Sequence, residues 1–188
     1  MCKTQVISTK KIAFAAMMAA LTCAGSAIRI TMPIEIADTT SVHLGNIMCA
    51  LSGILLGPWL GGFAAGLGSA IYDMFNPLYI SEAWLTFLMK GAYGLVPGLI
   101  MVMFRKDEKT WKAAIASLGG ALTYAVLYLL KTYWKAVIVK GYAHEAALLG
   151  VVAKVPSTVF NGAVAVIFAP ILAVAIRKAL KKNHLTLN

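Results

Sequence analysis

Acidic residues are scarce in this sequence: seven aspartates and glutamates stand against seventeen lysines and arginines in 188 residues. Charge of either sign makes up only 13% of the chain, and it is clustered. That shortage excludes a soluble domain, whose surface has to be wetted. The patterns of common enzymes are missing too. There is no HExxH, no GxSxG and no pair of carboxylates on one helix. No GxxxxGK[ST] loop is present, so the chain does not hydrolyse ATP in the P-loop manner. His43, His144 and His184 are scattered outside the apolar runs, and Cys2, Cys23 and Cys49 lack metal-ligand spacing. We expect neither an enzyme nor a bound metal or cofactor, and reduced, inert cysteines. The halves show no obvious inverted repeat. No polar stretch is long enough for a soluble appendage, so residues 1–188 read as one domain.

What is abundant is hydrocarbon. Apolar residues make up 60% of the chain, and mean hydropathy is +0.80. Six apolar runs follow one another, at about 12–30, 44–56, 59–74, 83–104, 113–134 and 146–176. Most are long enough for a hydrocarbon core of about 30 Å, although the second and third are short. The fold class expected is an all-α membrane protein, a compact bundle of six transmembrane helices. Gly57-Pro58 and Asn76-Pro77 separate the second, third and fourth runs. The polar segment Thr31 to His43, with Pro33, Glu35 and Asp38, reads as an ordered loop or short strand after the first helix. Ala24 to Ala27 resembles a signal-peptidase site, but Ile12 to Ile28 exceeds a signal core of about 7–15 residues, so a retained first helix is expected.

The net charge of +10 falls mostly at the ends of apolar runs, where basic residues orient helices in a bilayer rather than bind nucleic acid. Lys10 and Lys11, Arg105 to Lys112, and Arg177 to Lys182 share one side. That side is expected to be the cytoplasm of a prokaryotic cell, with both termini in it and the polar segment outside.

Three polar stripes are candidates for a binding site, because ionisable groups inside apolar helices usually face a cavity or a partner. Glu82, Thr86, Lys90 and Tyr93 share a face of the fourth helix. Tyr124, Tyr128, Lys131 and Lys135 do so on the fifth, and Lys154, Ser157, Thr158 and Asn161 on the sixth, around Pro156. All three lie in the outer half of the membrane and converge on one outward-facing pocket. Lys131 and Lys135 read more readily as snorkelling to the interface, whereas Lys90 and Lys154 are deep enough to need a partner. Lys140 reads as a solvated loop charge. Such a pocket suits a small, flat molecule with polar edges. Small residues mark packing faces: Ala15, Ala16, Ala19, Ala20 and Ala24 on the first helix, and Gly61, Gly62, Ala65, Gly66 and Ser69 on the third.

The stretch His43-Leu44-Gly45-Asn46, Leu51-Ser52-Gly53-Ile54-Leu55-Leu56-Gly57-Pro58, Gly61-Gly62, Gly66-Leu67-Gly68-Ser69 and Asp73 resembles the substrate-binding (S) components of energy-coupling factor vitamin transporters, riboflavin-type branch. The resemblance implies a six-helix subunit that holds one vitamin in an outward-facing pocket capped by the first loop. It implies a transmembrane coupling subunit and two ATPase subunits as partners, docked on Ala15, Ala16, Ala19 and Ala20. It does not name the ligand: riboflavin, a pyridoxine-like ring, hydroxymethylpyrimidine and a deazapurine all fit. Two other readings stay open, a proton-coupled secondary transporter using Glu82 or Asp73, and an intramembrane enzyme or structural subunit.

Overall fold

The computed structural model describes residues 8–34, 38–104 and 109–183. Cys2, Glu35, His184 and the start of the Arg105 to Lys112 cluster lie outside them. Six α-helices stand among the described residues: α1 (Thr9–Ala27), α2 (Gly45–Leu56), α3 (Pro58–Phe75), α4 (Ala83–Met103), α5 (Thr110–Trp134) and α6 (His144–Lys182). A single 3-10 turn, Ile80–Glu82, leads into α4, and a π-helical turn, Lys135–Val139, extends α5.

The first helix begins and ends three residues before its apolar run. Ile28 leaves helical geometry, and the chain enters an antiparallel hairpin of β1 (Arg29–Ile34) and β2 (Asp38–His43). The register pairs Arg29 with His43 and Ile34 with Asp38. The segment is rich in β-branched residues, which favour pairing over helix. The fifth and sixth helices exceed their expected bounds, and α6 runs unbroken through Pro156 and Pro170.

Three helical stretches are long and apolar enough to cross a bilayer: Ile80–Met103, Thr110–Val139 and His144–Lys182. At 12 residues α2 spans only about 18 Å. The helices α1 and α3 have 19 and 18 residues, and their inward faces carry Thr22, Ser26, Ser69 and Asp73, which dilutes their apolar character. Six helices therefore form the bundle, of which three are long apolar spans. Large apolar side chains such as Trp59, Phe63, Leu122, Phe160 and Ile167 point outward. An apolar exterior of this extent belongs in lipid, so this is a membrane protein.

Close backbone approach holds the bundle. Gly57, at a φ of +83°, makes the tight turn between α2 and α3, and Pro58 starts α3 where its missing N–H costs nothing. At Gly68 of α3, a Cβ would lie 2.1 Å from the Ala19 carbonyl oxygen of α1. This contact corrects the expected alanine face. Ala15 and Ala19 are buried inside the bundle, and only Ala16 and Ala20 are exposed, together with Ala13, Ala24 and Ala27. The reason is helical geometry: positions 15 and 19 share the side that meets α3, and 16 and 20 are rotated away from it.

Replacing Gly68 by alanine is expected to lower stability by about 1–3 kcal/mol, because backbone atoms cannot move aside cheaply. Gly91→Ala, whose Cβ would find its nearest neighbour at 3.6 Å, is expected to leave stability unchanged or slightly raised. Thermal unfolding of the two variants in detergent checks this; equal melting temperatures would refute the tight α1–α3 contact.

Candidate functional site

Polar groups carried by these apolar helices gather at the hairpin end of the bundle. They surround a cavity of about 470 Å³, within the size range of small-molecule sites. Its walls come from the end of α1, the hairpin, and α3 to α6 with the turns flanking α4 and α5. Four-residue spacing turns Glu82, Thr86 and Lys90 to one side, Tyr124 and Tyr128 to another, and Lys154, Thr158 and Asn161 to a third. Glu82, Lys90, Tyr124, Tyr128, Lys131, Lys154, Thr158 and Asn161 all line this one cavity.

Tyr93 is different. It is fully buried and stands behind Tyr124, with ring centroids 5.4 Å apart and planes at 21°. Tyr124 stacks in turn on Tyr128 at 5.7 Å and 18°. The three rings form a ladder along the wall, with Tyr93 as its support rather than its surface. Lys90, 4% exposed, donates to Asn46 Oδ1 and holds its Nζ 3.9 Å from the Tyr124 ring centroid. Lys154 Nζ lies 5.4 Å from the Tyr128 centroid, a second ammonium on the same aromatic wall.

Several expectations need correction. Glu82 is not on α4 but in the turn before it. Lys131 and Lys135 do not snorkel outward: both pair with Glu82, Lys135 at 2.6 Å, and they close one side of the cavity. A partly buried carboxylate offers more than the interface does when it accepts from two ammonium groups. Lys140 is, as expected, an exposed residue in the bend that follows the π turn, and it also borders the cavity. Asn161 is committed to the hairpin. Its Oδ1 accepts from the His43 backbone N–H at 3.0 Å, and its Nδ2 donates to the Ser41 carbonyl at 2.8 Å. A side-chain amide here acts as a short piece of strand, pinning β2 to α6.

Two further lining residues, Arg29 and His43, were not singled out from the sequence as site residues, and Asp73 only as a candidate for proton coupling. Arg29, at the start of β1, donates from Nε to the Ser26 carbonyl and lies over the Tyr72 and Tyr79 rings, 4.2 and 5.1 Å from their centroids. His43, at the end of β2, also lines the cavity, as does buried Asp73 of α3. The one sequence signal for His43 was its place at the head of the glycine-containing stretch. Burial, reinforced by the positive charges of Lys90 and Arg29, holds the His43 imidazole well below its ordinary pKa. Among the described residues no three His, Cys, Asp or Glu side chains group as metal ligands.

Comparison with known proteins adds three findings. The model of the family described as ECF-type riboflavin transporter, S component, matches residues 6–178. A relative described as an uncharacterized protein in gap 3′ region, from Pyrococcus woesei, is 38% identical over 79 residues, covering 42% of this chain and 50% of that protein. The chain thus matches only about half the length of that relative. No solved structure matches the chain.

Two outcomes are expected from this geometry. Asn161→Ala removes both hairpin anchors, so hydrogen exchange at the His43 amide should rise by about tenfold or more, a loss of about 1–2 kcal/mol of local protection; unchanged exchange would refute the anchor. The His43 imidazole binds a proton more weakly in the folded protein than in the unfolded chain. Stability should therefore fall as pH drops below about 6.5 and be fully regained above it. Melting temperature followed from pH 7.5 to 5.5 should show this slope in the wild type and a smaller one in His43→Asn.

Proposed function

The chain belongs to the ECF-type riboflavin transporter S-component family, and from that premise we propose that it is the membrane-embedded substrate-binding subunit of a multi-subunit importer. It captures a vitamin or vitamin precursor from outside the cell, and partner ATPases drive uptake. The observation that carries this reading is the cavity at the hairpin end, lined by the three stripes and sized for one small molecule. An aromatic ladder offers flat apolar surface, and the surrounding lysines and hydroxyls offer hydrogen bonds to ring substituents. The family is one of transporter components rather than enzymes.

In this reading the whole chain is one S-component domain in the plasma membrane of a prokaryote, with six membrane-crossing helices. Both termini are cytoplasmic and the hairpin caps the cavity from outside. Basic residues at Lys10 and Lys11 and at Arg177 to Lys182 support that orientation. The partners are a transmembrane coupling subunit and two ATPase subunits. Ala16 and Ala20, exposed on α1, are the docking positions that remain from the alanine face. Small side chains let a partner helix approach closely in lipid.

A second reading draws on Asp73, a buried carboxylate on the cavity wall. It would suit proton-coupled transport without partner subunits.

Reconstitution into liposomes separates the two. Uptake should require ATP and the coupling and ATPase subunits, and an imposed pH gradient alone should drive none. Ala16→Leu and Ala20→Leu should abolish uptake while leaving ligand affinity within about twofold, since the cavity lies on other faces. Gradient-driven uptake by the chain alone would favour the Asp73 reading. Normal assembly of both alanine variants would remove the docking assignment.

A further inference from the structure

The charges around the cavity are unbalanced. Among the described residues that line it, six are lysine or arginine and two are carboxylates, Asp73 and Glu82. Glu82 is shared between Lys131 and Lys135, so one carboxylate faces two ammonium groups. The Asp73 carboxylate acts on both Lys90 and Arg29 from beyond ion-pair distance, one negative charge for two positive ones. Lys90 is met by the Asn46 side-chain oxygen and the Tyr124 ring. Arg29 is met by the Ser26 carbonyl and the rings of Tyr72 and Tyr79. Among the described residues, no carboxylate lies within ion-pair distance of either.

Neutral acceptors and ring faces stabilise a cation, but they leave its charge in place. A buried ammonium among apolar helices is costly unless an opposite charge completes it. An anion delivered by a ligand would do so, through charge-assisted hydrogen bonds that are roughly twice as strong as neutral ones. The tyrosine ladder beside Lys90 supplies the other half of the recognition, a flat aromatic wall. The geometry points to a ligand that is a planar heteroaromatic ring bearing an anionic group, a carboxylate or a phosphate monoester, with the ring against the Tyr124–Tyr128 wall and the anion at Lys90 and Arg29. This rests on the reading of the cavity as the transport ligand's site and narrows it: a neutral ring would leave the cationic side of the wall unanswered.

Matched pairs of probes test the charge and leave the ring constant. Riboflavin against riboflavin 5′-phosphate and pyridoxine against pyridoxine 5′-phosphate read the phosphate arm. Pyridine-3-carboxamide against pyridine-3-carboxylate reads the carboxylate arm. Affinity is measured by calorimetry and by thermal shift on the purified full chain at pH 7.5. In at least one pair the anionic member should bind about tenfold or more tightly than its neutral partner. Lys90→Met should reduce that preference, the ratio of the two affinities, to about twofold or less. Arg29→Gln provides the same readout if Lys90→Met does not fold. Which pair responds identifies carboxylate or phosphate. Equal or tighter binding of the neutral member in every pair, no binding of any probe, or a preference that survives both substitutions would overturn the proposal. Uptake distinguishes this failure from that of the importer reading. ATP-dependent import of a neutral probe keeps the importer and refutes the anion, whereas tight anion binding without ATP-dependent import does the reverse.

Discussion

Backbone-to-backbone contact between α2, α3 and α4 is the constraint on which the rest of the bundle depends. At Gly53 of α2, a Cβ would stand 2.0 Å from the Gly94 carbonyl oxygen of α4, and at Gly98 one would meet Pro58 at 2.4 Å. Helices this close exclude any ligand between them and leave almost no side chain to interdigitate. Toward the hairpin the inward residues become large: Lys90, Tyr124, Tyr128 and Lys154. Glycine keeps α3 and α4 close up to the hairpin end as well, where a Cβ at Gly66 would meet the Phe87 carbonyl oxygen at 2.6 Å. The cavity therefore lies beside this tight core, walled by the aromatic and basic side chains of α4, α5 and α6.

The polar groups of the interior tie together elements that are distant in sequence. Glu82 belongs to the turn before α4 and its two lysines to α5 and the π turn. Lys90 of α4 donates to Asn46 of α2, and Asn161 of α6 holds β2. Each bond joins elements distant in sequence, so a shift of any one helix orphans the polar groups it shares with another. In a medium without water an orphaned polar group costs several kcal/mol, which makes the arrangement cooperative. It also means that a residue such as Asn161 serves the cavity by placing its cap, whether or not it touches what is bound.

The helical faces were legible in the sequence because period and hydropathy act locally. Spacings of four and seven on three apolar runs gathered Glu82, Lys90, Tyr124, Tyr128, Lys131, Lys154, Thr158 and Asn161, and the fold brings them around one cavity. The role of each depended on tertiary facts that no local pattern carries. Arg29 and His43 line the wall because β1 and β2 pair as a hairpin over the helix ends. Lys131 turns inward because its carboxylate partner lies 49 positions away. Tyr93 shares its stripe with Lys90 yet sits one layer deeper, and Ala15 shares its alanine run with Ala16 yet faces the core. Membership of a face was readable; depth and direction were not.

The unequal lengths of α2 and α6 bear on the lipid as much as on the protein. A helix of 12 residues and one of 39 stand in contact within the same bundle, about 18 Å beside about 58 Å. They are fastened near one end, where Arg177 Nη2 donates to the Ile54 carbonyl at 2.9 Å. Neither can slide to match the hydrocarbon thickness independently of the other. No residue of α2 is exposed, so its neighbours shield it from lipid and the bilayer meets the long helix, which leans or projects its basic end among the headgroups. Whatever tilt the membrane thickness imposes on α6 is passed through the Arg177 bond to a helix that lipid never touches.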